Sequence, residues 1–154
     1  MNTFIQEKPI LSTLVVVASA RDAFAKLLET YSKYKHSQTG EEPTAYKSDS
    51  AKIGSDVYLA DASHVGADTS VGSNTKIYHG VHIGNNVTIG ENCIFHSGCR
   101  IMDESVIGND CIVQPGAVIG GDGFGFIPNS TNNYQKIVHT GNVILEDFVE
   151  IGAN

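Results

Sequence analysis

Large apolar residues recur at every sixth position along the middle of this chain. A second series, of small or β-branched residues, stands two places before the first, and neither series is interrupted between residues 51 and 119. A helix would spread a six-residue period around its surface, whereas a strand places residues i and i−2 on one face. Each hexapeptide therefore predicts a short strand and a turn, with one large and one small side chain pointing inward. The large residues are Ile53, Leu59, Val65, Val71, Ile77, Ile83, Ile89, Phe95, Ile101, Ile107, Val113 and Ile119.

A longer period of eighteen residues is superimposed on the six-residue period. Glycine follows the large residue at Gly54, Gly72, Gly90 and Gly108, whereas the equivalent positions six residues later hold no glycine. Three hexapeptides therefore make one turn of a solenoid, and residues eighteen apart stack at the interstrand spacing of ~4.8 Å. The predicted fold class is mainly β, a parallel β-helix of hexapeptide repeats over residues 51–154.

The first fifty residues follow different patterns. The apolar run 13–17 predicts a buried strand, and Ser19 with Asp22 forms a capping-box-like start for a helix predicted over 20–35. One strand and one helix cannot bury a core alone. Residues 1–36 are therefore interpreted as the remnant of a larger α/β domain, and residues 37–50, which contain Gly40 and Pro43, as a linker.

A long loop interrupts the repeat at residues 121–142. The apolar pattern stops after Ile119 and resumes at Val143, and a loop of this length in a compact repeat is usually functional or disordered. Three interpretations are open: a substrate-contacting flap, which we prefer, a phosphate cradle, and inert packing of the two phenylalanines against a neighbour. The phosphate cradle is disfavoured because no βαβ unit surrounds the glycines. The candidate site residues are Asp122, Gly123, Phe124, Gly125, Phe126 and His139.

Charge and cysteine content narrow the class of protein. The formal net charge of −7 and the lack of a Lys/Arg cluster argue against nucleic acid or an anionic membrane surface as a partner. No apolar run approaches the ~18 residues of a membrane-spanning helix. Cys93, Cys99 and Cys111 occupy the small inward position, where a thiol behaves as a small apolar group. An odd number of thiols and no signal peptide predict the reducing cytoplasm, with redox or metal chemistry of the stacked Cys93 and Cys111 as the alternative.

Histidines provide the remaining candidates for chemistry. His64 and His82 are eighteen residues apart, and Arg100 follows in the same column. They are interpreted as a solvent-facing ladder; a metal site is the alternative, but no third ligand is apparent and Arg100 would repel the ion. His79 and His96 are interpreted as corner residues, with a subunit contact as a further interpretation. No metal and no cofactor are predicted.

The loop and the segments around it closely resemble the UDP-3-O-acylglucosamine N-acyltransferase family, which acts in the lipid A pathway of Gram-negative bacteria. The resemblance also covers residues 23–28, which are similar to that family's junction between uridine-binding domain and β-helix. One departure is that the family usually has Pro-Gln where this sequence has Val138 and His139, which puts a glutamine-specific contact in doubt. The segments that carry the resemblance are 117–126, 136–137, 141–143 and 149–154.

The resemblance implies a left-handed β-helix and a homotrimer with active sites between subunits. It further implies transfer of a 3-hydroxyacyl group from an acyl carrier protein thioester to the 2-amino group of the UDP-sugar. A histidine in an Ala-His-Asn segment acts as general base in this family, and the glycine-aromatic loop is expected to bind substrate. That segment is expected beyond Asn154, so no catalytic residue is assigned here.

The resemblance and the edge of the solenoid together suggest a shortened chain. The family's uracil-binding aromatic-Asn-Pro-Lys-Tyr stretch is missing upstream, and an uncapped solenoid presents unpaired N–H and C=O groups. The chain is therefore expected to be an inactive fragment of the enzyme. Two alternatives remain: a trimeric hexapeptide scaffold or ligand-binding module without chemistry, and the related O-acyltransferase of the same pathway.

Overall fold

The computed structural model describes residues 15–128 and 133–154. The chain divides into two compact units, Met1–Ser37 and Gln38–Asn154. In the described part of the first unit, one helix, α1, spans Ala20–Lys35, the bounds that the sequence predicts. Ser19 caps its N-terminus, because the Ser19 side chain accepts a hydrogen bond of 3.3 Å from the backbone N–H of Asp22.

The apolar stripe of α1 is exposed to solvent. Phe24, Leu27, Leu28 and Tyr31 are all at least half exposed, and no residue of the helix is buried. The strand predicted over 13–17 lies partly outside the described residues. Its described part, residues 15–17, has no strand structure and is exposed, because no described residue pairs with its backbone groups. Both observations fit a segment whose core partners are not among the described residues.

The second unit is a solenoid of short parallel strands. In chain order its strands are β1 (Gly40–Glu41), β2 (Tyr46–Lys47), β3 (Lys52–Ile53), β4 (Tyr58–Leu59), β5 (His64–Val65), β6 (Ser70–Val71), β7 (Lys76–Ile77), β8 (His82–Ile83), β9 (Thr88–Ile89), β10 (Ile94–Phe95), β11 (Arg100–Ile101), β12 (Val106–Ile107), β13 (Ile112–Val113), β14 (Val118–Ile119), β15 (Phe126–Pro128), β16 (Tyr134–Lys136), β17 (Ile144–Leu145) and β18 (Glu150–Ile151).

Three parallel sheets form the walls of the solenoid. Sheet A has the order β1-β4-β7-β10-β13-β18, sheet B the order β14-β11-β8-β5-β2, and sheet C the order β17-β12-β9-β6-β3. Every third strand joins the same sheet, and His64 pairs with His82, eighteen residues later. The predicted β-helix of hexapeptide repeats is confirmed.

The solenoid begins earlier than the sequence predicts. Residues 37–50 are not a linker, since β1 pairs with β4 and β2 pairs with β5. Their inward positions hold Glu41 and Lys47, which form an ion pair instead of entering an apolar core. A search for apolar residues at every sixth position therefore does not detect this coil. Its backbone nevertheless pairs with sheet A through β1 and with sheet B through β2.

The core contains the two inward series that the sequence predicts. Eleven of the twelve large residues are buried, and Ile53 near the start is half buried. Two buried threonines of the small series donate to carbonyl groups of the next coil: Thr69 to Gly84 at 2.8 Å and Thr75 to Gly90 at 3.1 Å. Cys93 takes the same place with a 3.1 Å contact from Sγ to the Gly108 carbonyl.

The three cysteines are free and fully buried. Burial raises the pKa of Cys93 to about 11 and that of Cys99 to about 12. Since the thiolate is the reactive form, the thiols of Cys93 and Cys99 are held in their unreactive state. The structure thus supports the structural interpretation of the cysteines.

Candidate functional site at the base of the extruded loop

The extruded loop leaves the solenoid at the corner between sheet B and sheet C. It follows β14 and ends where β17 pairs with β12, with Ile107 opposite Leu145. Cross-coil partners are 18 residues apart in regular coils but 38 apart here, so the loop adds 20 residues. The coil before the loop turns the same corner at residues 102–105, which therefore lie next to the base of the loop.

The loop contains a hairpin that the sequence does not predict. Strands β15 and β16 are antiparallel, with Phe126 opposite Lys136. The backbone N–H of Ile137 donates to the carbonyl of Gly125 at 2.9 Å, which extends the pairing toward the glycine-rich segment. Lys136 also forms an ion pair with Asp122. The two arms of the loop are thus joined close to the solenoid.

A pocket of about 690 Å³ lies between the loop base and the neighbouring corner. The side-chain amide of Asn142 closes one end by donating to the Glu104 carbonyl at 2.8 Å. Gly120 turns the chain into the loop with a φ of +82°, where a Cβ would also lie 2.9 Å from the Ser105 hydroxyl oxygen. The lining residues are Met102, Asp103, Glu104, Gly120, Gly121, Asp122, His139, Thr140, Gly141, Asn142 and Val143.

Two of the candidate residues, Asp122 and His139, line this pocket. The hydrogen bond from Lys136, followed by its positive charge, lowers the pKa of the Asp122 carboxyl, and His139 makes a smaller contribution of the same sign. Asp122 is therefore a carboxylate at neutral pH. Because both partners of the ion pair are about half exposed, solvent screens it and its contribution to stability is small.

Gly123 and Gly125 lie against the imidazole ring of His139. A Cβ on Gly123 would be 3.2 Å from Cε1 of His139, and a Cβ on Gly125 would be 3.2 Å from Nε2. Gly125 is half buried although its neighbours in the segment are exposed. The structure thus brings Asp122, both glycines and His139 together at one end of the loop.

Phe124 and Phe126 form a pair on the outside of the loop. Their ring centroids are 5.1 Å apart, with the planes inclined by 56°. Phe124 is 94% exposed and Phe126 is 41% exposed, so neither ring packs into the solenoid core. Two apolar rings displayed on a hairpin are available to a ligand or to another chain.

Sequence reasoning did not predict that residues 102–104, in the coil before the loop, would form one wall of the pocket. Two departures from the repeat mark it. Met102 stands in a column that holds glycine at Gly66, Gly84 and Gly120, and Glu104 has a φ of +62° at a corner position. A search for breaks in the eighteen-residue pattern would have drawn attention to this corner.

The histidine ladder on sheet B lies away from the pocket. The rings of Tyr46, His64 and His82 are stacked, with successive centroids 4.8 Å apart. Desolvation, and then the neighbouring His82, lower the pKa of His64. Over residues 15–128 and 133–154 no group of three or more His, Cys, Asp or Glu side chains is placed to hold a metal ion.

The two corner histidines lie on sheet A and next to it. His96 stacks on Tyr78 with ring centroids 5.7 Å apart. His79 approaches Glu42, with 3.6 Å between Nε2 and a carboxylate oxygen. Both have neighbours within their own chain, and a subunit contact by either remains a prediction.

The repeat matches a known family model. The model described as "Bacterial transferase hexapeptide (six repeats)" matches residues 62–95 and 86–121, which are the regular coils before the loop. The curated relatives extend the match into the loop. UDP-3-O-acylglucosamine N-acyltransferase from Phocaeicola vulgatus is 60% identical over 151 residues, which is 98% of this chain and 43% of that protein. The chain thus contains the hexapeptide repeat of bacterial transferases and is similar to these N-acyltransferases along nearly its whole length.

A second curated relative and a solved structure are also similar to this chain. The enzyme of the same name from Christiangramia forsetii is 55% identical over 150 residues, or 97% of this chain and 44% of that protein. The chain thus spans less than half the length of these curated relatives. Among solved structures, a mutant of perosamine N-acetyltransferase from Caulobacter crescentus has a TM-score of 0.49 at 16% identity, covering 84% of this chain and 60% of that one.

Within residues 15–128 and 133–154, no helix combines the length and the apolar character needed to cross a bilayer.

Proposed function

We propose that this chain forms the central part of an N-acyltransferase of lipid A biosynthesis. Its substrates would be UDP-3-O-acylglucosamine and an acyl carrier protein thioester that carries a 3-hydroxyacyl group. The observation that supports this proposal most is the similarity to the curated enzymes, which runs at 60% identity along 98% of the chain and therefore includes the extruded loop. The base of the loop holds a pocket, which two of the candidate residues, Asp122 and His139, line.

In the proposed reaction the 2-amino nitrogen of the sugar attacks the thioester carbon. A C–N bond forms and the C–S bond breaks, while the proton of the amine passes to a general base and from it to the leaving sulfur, which departs as the thiol of the carrier protein. The resemblance assigns that base to an Ala-His-Asn segment, and this sequence contains none. His139 lines the pocket, and we assign it to substrate contact together with Asp122.

The glycine-aromatic segment is proposed to contact the substrate. Phe124 and Phe126 present apolar rings that suit an acyl chain or the face of a sugar, and both rings are free of core packing. Gly123 and Gly125 let the backbone approach its neighbours closely. Packing of these rings against another subunit is the competing interpretation.

The assembly and the compartment belong to the same proposal. A homotrimer with sites between subunits would bring the exposed loop of one subunit to its neighbour, which is consistent with a pocket lying at the outer corner of the solenoid. Three buried free thiols are consistent with a reducing cytoplasm.

A chimera provides the test of function. The matching segment of the Phocaeicola vulgatus relative is replaced by this chain, and turnover of UDP-3-O-acylglucosamine with an acyl carrier protein thioester is measured. We expect the chimera to retain turnover, because most of the segment is identical. A chimera that assembles like its parent but has no turnover would contradict the acyltransferase assignment and favour the non-catalytic scaffold.

The second arm measures the 154-residue chain alone. We expect no turnover, since loss of a general base typically removes about 10² to 10⁴ in rate and loss of remote substrate contacts removes further binding energy. Turnover by this chain that disappears in a His139→Ala variant would show that a base lies within it, and the proposal of an inactive segment would then fail.

A further inference from the structure

The glycine content of the loop has a specific steric cause. Gly123 and Gly125 do not have positive φ angles, unlike Gly120 at the start of the loop. Backbone conformation therefore does not explain why glycine stands at these two positions. The ring of His139 offers a steric reason, because a Cβ at either position would lie 3.2 Å from one of its atoms, closer than ordinary van der Waals contact.

We infer that His139 is a positioning residue that fixes the shape of the glycine-aromatic segment. The inference rests on the proposed function for its meaning, since the segment is the part of the chain assigned to substrate contact. Its structural content is independent of that function. The imidazole ring acts as a support, and the two glycines are the residues that lie against it.

The contacts along the segment show what the ring contributes. Asp122 is held by Lys136, and the Gly125 carbonyl accepts from the Ile137 N–H at 2.9 Å. His139 lies against Gly123, which follows Asp122 in the chain, and against Gly125, which accepts the hydrogen bond from Ile137. Phe124 lies between the two glycines and is 94% exposed, so its side chain holds nothing in place. Its direction is set by the backbone on either side, and therefore by the ring.

The position of His139 connects this support to the pocket. His139 and Asp122 both line the pocket, while Phe124 and Phe126 lie on the outside of the hairpin. A ligand that contacted His139 in the pocket would thus also affect the position of the glycine backbone that carries Phe124 and Phe126. His139 acts through the glycine backbone, and we assign no proton transfer to it.

The test uses the whole chain without substrate. Nuclear magnetic resonance gives two readouts: the ring-current shift of the Gly123 and Gly125 α-protons, and the hydrogen exchange rate of the Ile137 amide. In the unmodified chain we expect a ring-current contribution to the α-proton shifts and a protected Ile137 amide. His139→Ala should remove this ring-current contribution and increase Ile137 exchange several-fold.

A matched set of glycine variants separates packing from general loop damage. Gly125→Ala should push the ring away and reproduce the exchange of His139→Ala. Adding Gly125→Ala to His139→Ala should then have little further effect, since the methyl group would occupy the space of the lost ring. Gly141→Ala is the control, because a Cβ there would meet nothing within 4 Å.

The amide of Ile94, which donates to Cys111 at 2.9 Å within the solenoid, reports whether the fold is intact. It should stay protected in every variant. Unchanged glycine shifts and unchanged Ile137 exchange in His139→Ala would overturn the inference, as would additive effects of the two substitutions. Because no substrate is present, failure here would leave the acyl transfer proposal standing, and an inactive chimera would leave this inference standing.

Discussion

At the scale of single residues, the strictest requirement of the solenoid is a positive φ angle at one residue of each corner. Every sixth residue from Asp56 to Gly116 has a positive φ, and Phe148 continues the series after the loop with a φ of +62°. Asp, Asn and Gly tolerate this region, whereas a bulky residue in it is an outlier. Phe148 is also 78% exposed, so its ring gains little from packing in this chain.

We therefore predict that Phe148→Asn stabilises the chain. Asparagine adopts positive φ at a lower cost, and the free energy of unfolding should rise by about 1 kcal/mol. Denaturant unfolding of both proteins measures the change. Asp110→Asn is the control, because it exchanges two tolerant residues at the equivalent corner of the preceding coil, with a φ of +55°. A Phe148→Asn variant that is less stable than its parent would show that the ring has a packing role.

The corner side chains also satisfy backbone groups of neighbouring coils. Asn85 accepts from the Ala67 N–H at 2.8 Å, and Asp103 accepts in turn from the Asn85 N–H at 2.8 Å. On another corner Asp147 accepts from the Asn109 N–H at 2.6 Å. Since the N–H groups at a turn have no strand partner, these acceptors replace the bonds that a sheet would supply.

At the scale of elements, each strand is too short to be stable alone. Strands of two residues gain their order by stacking in sheets of five or six, where each coil covers the next. The outward face of each sheet presents columns of side chains eighteen residues apart, so the residue types in a column determine its chemistry. On sheet B this stacking places Tyr46, His64 and His82 in one column.

The ladder on sheet B predicts a pH dependence of stability. The pKa of His64 is lowered from its ordinary value of 6.5 in the folded chain, mainly by desolvation and then by His82. Above pH 6.5 His64 is neutral in both states and contributes nothing. As the pH falls through 6.5, the unfolded chain binds the proton first, so the free energy of unfolding decreases until the lowered folded pKa is passed.

Unfolding measurements on the parent and on His64→Gln, at pH 7.5 and at pH 5.5, test this prediction. The parent should lose more stability than the variant between the two values. The difference between the two proteins isolates His64 from the other groups that titrate in this range. An equal loss in both, or a larger loss in the variant, would contradict the prediction.

At the scale of the whole molecule, the loop is an insertion into an otherwise continuous solenoid. The base of the loop already carries the residues that a regular corner needs. If residues 121–140 were removed, Ile119 and Gly120 would be followed by Gly141, Asn142, Val143, Ile144 and Leu145. That order repeats the pattern of residues 83–89, with asparagine at the corner position and valine at the small inward position.

We predict that excising residues 121–140 leaves a folded solenoid. The β-sheet circular dichroism should be kept and the melting temperature should be equal or higher, because a long loop no longer has to be closed. Excision of residues 115–134, which are equal in number but include part of the core, is the matched control and should unfold the chain. Loss of cooperative melting in the first variant would show that the loop contributes to the fold.

The sequence by itself determined the solenoid, because its core is built from local periodicity. The register of large residues from Leu59 to Ile119, and their burial, follow from strand geometry and a fixed turn length. The bounds of α1 follow in the same way from its cap at Ser19 and the spacing of its apolar residues.

Only the tertiary structure decided what the loop builds. The approach of His139 to Gly123 and Gly125, and the wall that Met102 and Glu104 add to the pocket, join residues whose separations follow no period. The first coil was missed for a related reason. Glu41 and Lys47 break the apolar rule, and the backbone pairing of β1 and β2 with later coils replaces it. Periodic burial is local information, whereas contacts across an insertion depend on how the folded coils place its two ends.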